Sequence, residues 1–131
     1  MKFILFSLVL FALQEKGFYI SIEVKEVKGK IFVAVYDSEM NYMIVNEASY
    51  IKSIKVRQSH ESIFIPLDAG IYAIAVFQDL DNNQSLTTNF LGMPKEPYGF
   101  SNDSKGFSGP PDYSVTAMRV EQGESYSIKL Q

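Results

Sequence analysis

Residues 18–25 read Phe18-Tyr19-Ile20-Ser21-Ile22-Glu23-Val24-Lys25, and their period decides the fold class. Phe18, Ile20, Ile22 and Val24 fall on one side of an extended chain, and Tyr19, Ser21, Glu23 and Lys25 on the other. That is the pattern of a half-buried strand. Working outward, Lys28-Gly29 marks a turn. Lys30 to Tyr36 (Lys-Ile-Phe-Val-Ala-Val-Tyr) is apolar on both faces and rich in β-branched and aromatic residues, as a central strand should be. Asp37 to Asn46 is polar with scattered aromatics and is expected to be a long loop. Tyr50 to Arg57 carries Ile51, Ile54 and Val56 with three positive charges; its imperfect alternation predicts an edge strand with a bulge. Gln58-Ser59-His60-Glu61 suits a hairpin turn, and Ser62 to Leu67 forms a strand that ends at Pro66, which has no N–H for a ladder. Ile71 to Phe77 is the second fully apolar strand. Tyr113 to Val120 and Ser125 to Leu130 complete the set, joined by a turn over 121–124. About seven short strands, with no convincing helix and no internal repeat, predict an all-β fold. Its form is an antiparallel β-sandwich with one long Gly/Pro/aromatic loop over 78–112.

Composition bounds the chemistry. At 131 residues the chain holds one domain. Lys and Arg total 12 against 15 Asp and Glu, a net charge of −3, which argues against a nucleic-acid partner. The absence of cysteine excludes disulfides, thiolate metal sites and cysteine nucleophiles. A single histidine excludes a three-histidine metal site within one chain. Lys2 followed by the apolar run Phe3 to Leu13 is too short for a bilayer-spanning helix, which needs ~20 residues, and matches a secretory signal peptide. Residues 1–16 are therefore expected to be removed, with the mature start near Gln14 to Gly17 and a single domain over 17–131. The mature chain then has no transmembrane segment and is secreted or periplasmic.

The long loop opens Gln78-Asp79-Leu80-Asp81-Asn82-Asn83-Gln84-Ser85-Leu86. Asp79, Asp81 and Asn83 place a side-chain oxygen at every second position, as loops that wrap Ca²⁺ do. Ser85 or Thr87 can add oxygens. Three departures are plain: Gln84 stands where such loops use glycine, Phe90 where they use a bidentate glutamate, and the formal charge is only −2. The alternative is that these side chains bond their own backbone as Asx-turns without metal. No other cofactor is implied.

Farther along, Asn89-x-x-Gly92-x-Pro94-x-Glu96-x-Tyr98-Gly99-Phe100-Ser101-Asn102 and Gly109-Pro110-Pro111 follow Tyr72-Ala73-Ile74-Ala75-Val76 and Asp79-x-Asp81-x-Asn83. Together these resemble the DUF2141 family of secreted bacterial domains of unknown function, over about residues 18–130. The resemblance implies export and a transthyretin-like or carboxypeptidase-regulatory-like sandwich, with no established activity. The chain has Gln78, Gln84 and Thr87 where the family pattern has His, Gly and Asp.

The prolines and glycines of this segment make it stiff. Phe90, Tyr98, Phe100 and Phe107 either fold back to cap the sandwich or form an exposed platform for a protein or glycan partner. Phe90, Glu96, Tyr98, Phe100 and Asn102 are the candidate partner-binding residues. Nucleophile signatures are missing: there is no G-x-S-x-G elbow, P-loop or H-E-x-x-H. His60 between Ser59 and Glu61 is not a triad, because neighbouring residues point apart. Glu96 and Asp103 lie in the long loop and are the carboxylates considered as an acid–base pair for hydrolysis. The leading expectation is a non-enzymatic exported module binding a partner or ligand through 78–112. A calcium-stabilised structural module using 79–87 and a hydrolase are the alternatives.

Overall fold

The computed structural model describes residues 15–85, 94–107 and 109–131. The N-terminal apolar run, and Leu86, Thr87 and Phe90 of the long loop, lie outside the described residues. The strands are β1 (Phe18–Glu23), β2 (Lys30–Tyr36), β3 (Tyr50–Lys55), β4 (His60–Ile65), β5 (Gly70–Asp79), β6 (Tyr98–Phe100), β7 (Met118–Val120) and β8 (Ser125–Lys129), with a single α-helical turn among the described residues, α1 (Tyr113–Thr116), and two short 3₁₀ turns at Val45–Glu47 and Ser101–Asp103. One sheet has the order β4-β1-β8; the other has the order β3-β2-β5-β6, with β7 also pairing β5. Two sheets packed face to face make an all-β sandwich, as the period of two requires. The core is the inward half of each strand: Phe18, Ile20, Ile22, Ile63, Ile65 and Ile128 from one sheet meet Ile31, Val33, Val35, Ile74 and Val76 from the other, all buried.

Several boundaries differ from the sequence expectation. The first and last strands run parallel, with Ile20 opposite Tyr126; the other pairings are antiparallel. β3 is an edge strand, yet its register with β2 runs unbroken from Lys30↔Lys55 to Val35↔Tyr50, so there is no bulge. The alternation reads imperfectly because Lys52 lies opposite buried Val33 and points inward at the open side of the sandwich. Its ammonium donates to the Phe64 carbonyl (3.4 Å), a charge placed where it discourages further strand pairing. His60 and Glu61 belong to β4 rather than to the preceding turn. Tyr113–Thr116 is a helical turn, not strand; the Asp112 carbonyl accepts from both the Thr116 N–H (3.2 Å) and its hydroxyl (2.9 Å), which coils the chain before β7.

The loop over 78–112 also contains structure. β5 continues to Asp79, two residues past the apolar run, and β6 pairs with it at Ala75↔Phe100 and Phe77↔Tyr98. β6 is too short, and its middle residue Gly99 too featureless, to show a period. β7 pairs with the start of β5, at Gly70 to Tyr72. Between the stretches of β5 paired by β6 and by β7, the Ile74 N–H would lack a strand partner. Ser101 supplies one: its buried hydroxyl accepts from Ile74 N–H (2.9 Å) and donates to the Thr116 carbonyl (2.6 Å). Ser101→Ala orphans the Ile74 N–H and leaves the Thr116 carbonyl only the longer bond from Asn102 Nδ2 (3.4 Å), at an expected cost of about 2 kcal/mol. Urea unfolding checks this; a midpoint equal to wild type would show that the hydroxyl is dispensable.

Candidate functional site

The extension of β5 carries the site. Gln78 N–H donates to the Pro97 carbonyl (2.8 Å), carrying the β5–β6 pairing one step further and setting Glu96 beside Asp79. Lys30 lies opposite Asp79. Gln78 is fully buried. Its Nε2 donates to the Glu26 (2.8 Å) and Lys28 (2.9 Å) carbonyls and so ties the β1–β2 turn under the end of β5. Its Oε1 has no hydrogen-bond partner among the described residues. Gly29 of that turn has φ +68° and abuts the Asp79 carbonyl, a left-handed close approach that only glycine makes without strain.

The loop beyond Asp79 is knit by side-chain-to-backbone bonds of the Asx type. Asp79 accepts from Asn83 N–H (3.2 Å) and Gln84 N–H (2.8 Å). Asp81 accepts from Asn83 N–H (3.2 Å), and the Asn83 side chain from Ser85 N–H (3.0 Å). Gln84 adopts φ +64°, the left-handed turn for which calcium loops use glycine, so the departure noted in the sequence changes the residue and not the backbone path. Such a conformation costs a non-glycine residue of order 1 kcal/mol.

Glu96 closes this loop. Its carboxylate accepts from Leu80 N–H (2.6 Å) and Asp81 N–H (3.4 Å). Asp79, Asp81 and Glu96 each bring a carboxylate oxygen within 4.8 Å of the others. Asp79 and Glu96 are buried, and Asp81 and Asn83 are exposed. The sequence pointed to Asp79, Asp81 and Asn83, but looked for the closing carboxylate at Phe90. It arrives instead from Glu96, across the β5–β6 hairpin. The only signal for it was the appearance of Glu96 in the Pro94-x-Glu96-x-Tyr98 motif, read there as partner-binding. Three hard carboxylate oxygens within 4.8 Å of one another suit a hard divalent cation.

Tyr98, Phe100 and Asn102 serve the scaffold. Phe100 is buried, and Tyr98 is half-buried with its ring edge-on to Phe100 (6.2 Å), so neither stands as a free platform. Asn102 sits at φ +61° and donates from Nδ2 to the carbonyls of Val115 (3.2 Å) and Ala117 (3.1 Å), capping α1. Phe107 is fully exposed. Of the two carboxylates considered for hydrolysis, Asp103 accepts from Lys129 N–H (2.9 Å) on β8, whereas Glu96 belongs to the acidic loop. His60 is exposed and lies 3.9 Å from an exposed Glu23.

Fold and site together define an all-β sandwich domain with a carboxylate-lined loop at one end. No helix among the described residues is long and apolar enough to cross a membrane. The chain belongs to the DUF2141 family, described as an uncharacterized protein conserved in bacteria, whose family model matches residues 21–128. That match lies within the span over which the sequence resembles the family. No curated protein and no solved structure matches the chain.

Proposed function

We propose that this is an exported, non-enzymatic β-sandwich module that binds through its 78–112 segment, and that the ligand held there is a divalent cation, Ca²⁺ by the hardness of the donors. The convergence of Asp79, Asp81 and Glu96 within 4.8 Å, two of them buried, carries the reading. Gathering three carboxylates raises the free energy unless countercharge is present. Backbone N–H groups offset part of it, and a cation offsets more. Asn83, two residues beyond Asp81 in the same loop, would add an amide oxygen. Export is supported by the apolar run after Lys2. A role without catalysis is supported by Glu96 and Asp103 serving different elements. For a protein or glycan partner, the exposure of Phe107, among the described aromatics of this segment, supports contact there.

Calorimetric titration of the purified protein with CaCl₂, paired with thermal melts in Ca²⁺ or EDTA, tests this. A Kd on the order of 10⁻⁴–10⁻³ M is expected, as in extracellular modules. At ten times Kd the cation adds about 1.4 kcal/mol, or roughly 5 °C. Glu96→Gln and Asp79→Asn are expected to remove the heat while the fold survives. No heat and no shift in melting at about 10 mM Ca²⁺, well above that affinity range, would eliminate the site.

A further inference from the structure

The opposite end of the sandwich carries a second surface. β2 ends at Tyr36, paired with Ala73, which lies roughly 20 Å along β5 from Asp79 at ~3.3 Å per residue. The chain leaving β2 there presents Met40 (83% exposed), Met43, Ile44 and Val45 (59%) to solvent. The adjoining α1 adds Val115 (54%). Clusters of large exposed apolar side chains mark interaction sites more often than isolated ones do, and methionine adapts its shape to a partner.

This surface is held in place. The Tyr42 ring packs edge-on against Tyr36 and against Tyr113, each at 5.7 Å, and its hydroxyl donates to the Pro111 carbonyl (2.7 Å). These contacts lock the Met40–Val45 stretch beside α1. Ser49 N–H donates to the Val35 carbonyl (2.8 Å) and anchors the far end. Met43 is held at φ +64°, a conformation uncommon for a long side chain.

The rim is acidic. Asp37, Glu39, Glu47 and Asp112 are exposed around it, and neither 31–51 nor 107–118 contains a lysine or arginine. Their field reaches the tyrosines: burial first, then Asp37 and Glu39, raises the Tyr113 hydroxyl above its ordinary range. An acidic rim repels anionic lipid and nucleic acid, and a second copy related by a two-fold axis would bring the same charges against it. It favours Lys and Arg set around an apolar face.

We propose that the Met40–Val45 stretch and α1 form a docking surface for a basic amphipathic segment of another protein. The test uses two fluorescent synthetic helical peptides with the same leucine face, one bearing lysines and the other glutamates. Each is titrated by anisotropy into the purified protein, with EDTA present so that cation binding plays no part. The lysine peptide is expected to bind with a Kd on the order of micromolar. That affinity should weaken about tenfold or more in the Met40→Ser/Val45→Ser double variant and severalfold at high salt. Glu47→Lys, at an exposed side chain, should weaken it as well and serves if the double variant unfolds. Failure of the lysine peptide to bind, equal binding of both peptides, or unchanged affinity in the variants would overturn the proposal. So would preferential binding to phosphatidylglycerol vesicles, or a dimer in sedimentation that the double variant abolishes.

Discussion

Gly99→Val is expected to abolish cooperative folding, or to lower stability by about 3 kcal/mol or more. That is a large share of the roughly 5–15 kcal/mol that holds a domain of this size. Gly99 is the middle residue of β6, opposite buried Val76, and faces the other sheet. A Cβ there would overlap the Lys129 carbonyl oxygen and lie 3.0 Å from Ile128 Cγ2. The β8 backbone cannot retreat, because Tyr98 and Gln131 exchange both of their backbone hydrogen bonds (3.3 and 2.9 Å). This is where the two sheets join along one side, and only a residue without a side chain lets them approach. Gly109, where a Cβ would meet no described atom within 4 Å, is the control: Gly109→Ala should change stability by less than about 0.5 kcal/mol. Urea unfolding of both variants decides. Because β6 also delivers Glu96 to the acidic loop, Gly99→Val should remove the proposed calcium binding along with the fold. A folded Gly99→Val protein with native stability would mean that the sheets are not closed here.

Phe18→Ala is expected to cost about 4 kcal/mol, read as a lowered urea midpoint and melting temperature. Phe18 is fully buried at the start of β1. Its ring stacks on Tyr72 of the opposite sheet (5.9 Å, 23°) and meets Tyr126 edge-on (6.1 Å). Truncation removes the ring from both sheets at once and leaves a cavity that neighbouring strands cannot fill. The residue before it is also built into the fold, since the Gly17 carbonyl accepts from Gly123 N–H (2.8 Å). A loss below about 1 kcal/mol, far under the usual range for such a truncation, would show that the first strand is not a full member of the core.

Much of the fold was legible because strand period is a local property. Phe18 to Val24 alternate in sequence, and the structure buries Phe18, Ile20, Ile22 and Val24. The apolar run Lys30 to Tyr36 lies between β3 and β5, the place where a strand is covered on both edges. The Asx bonding of Asp79, Asp81 and Asn83 was legible for the same reason, since short polar side chains reach only neighbouring backbone. The parallel partnership of β1 and β8 was not legible, because it joins the two ends of the domain.

At the candidate site the division is sharper. Phe100 and Phe107 are the same residue type in the same Gly/Pro-rich segment, yet one is buried and the other bare; the difference is that Phe100 pairs with Ala75. Residues 37–46 read as polar chain with scattered aromatics, and only the packing of Tyr42 on Tyr36 and Tyr113 leaves their methionines and aliphatics outside. The sequence by itself determined what depends on near neighbours: the strands long enough to show a period, the dry face of β1, and the acidic turn after β5. Only the tertiary structure decided that Glu96 closes that turn, that Ser101 completes the β5 ladder and that Gly99 lets the sheets meet. Each of these joins residues far apart in sequence, and a local period carries no record of which distant backbone comes within reach.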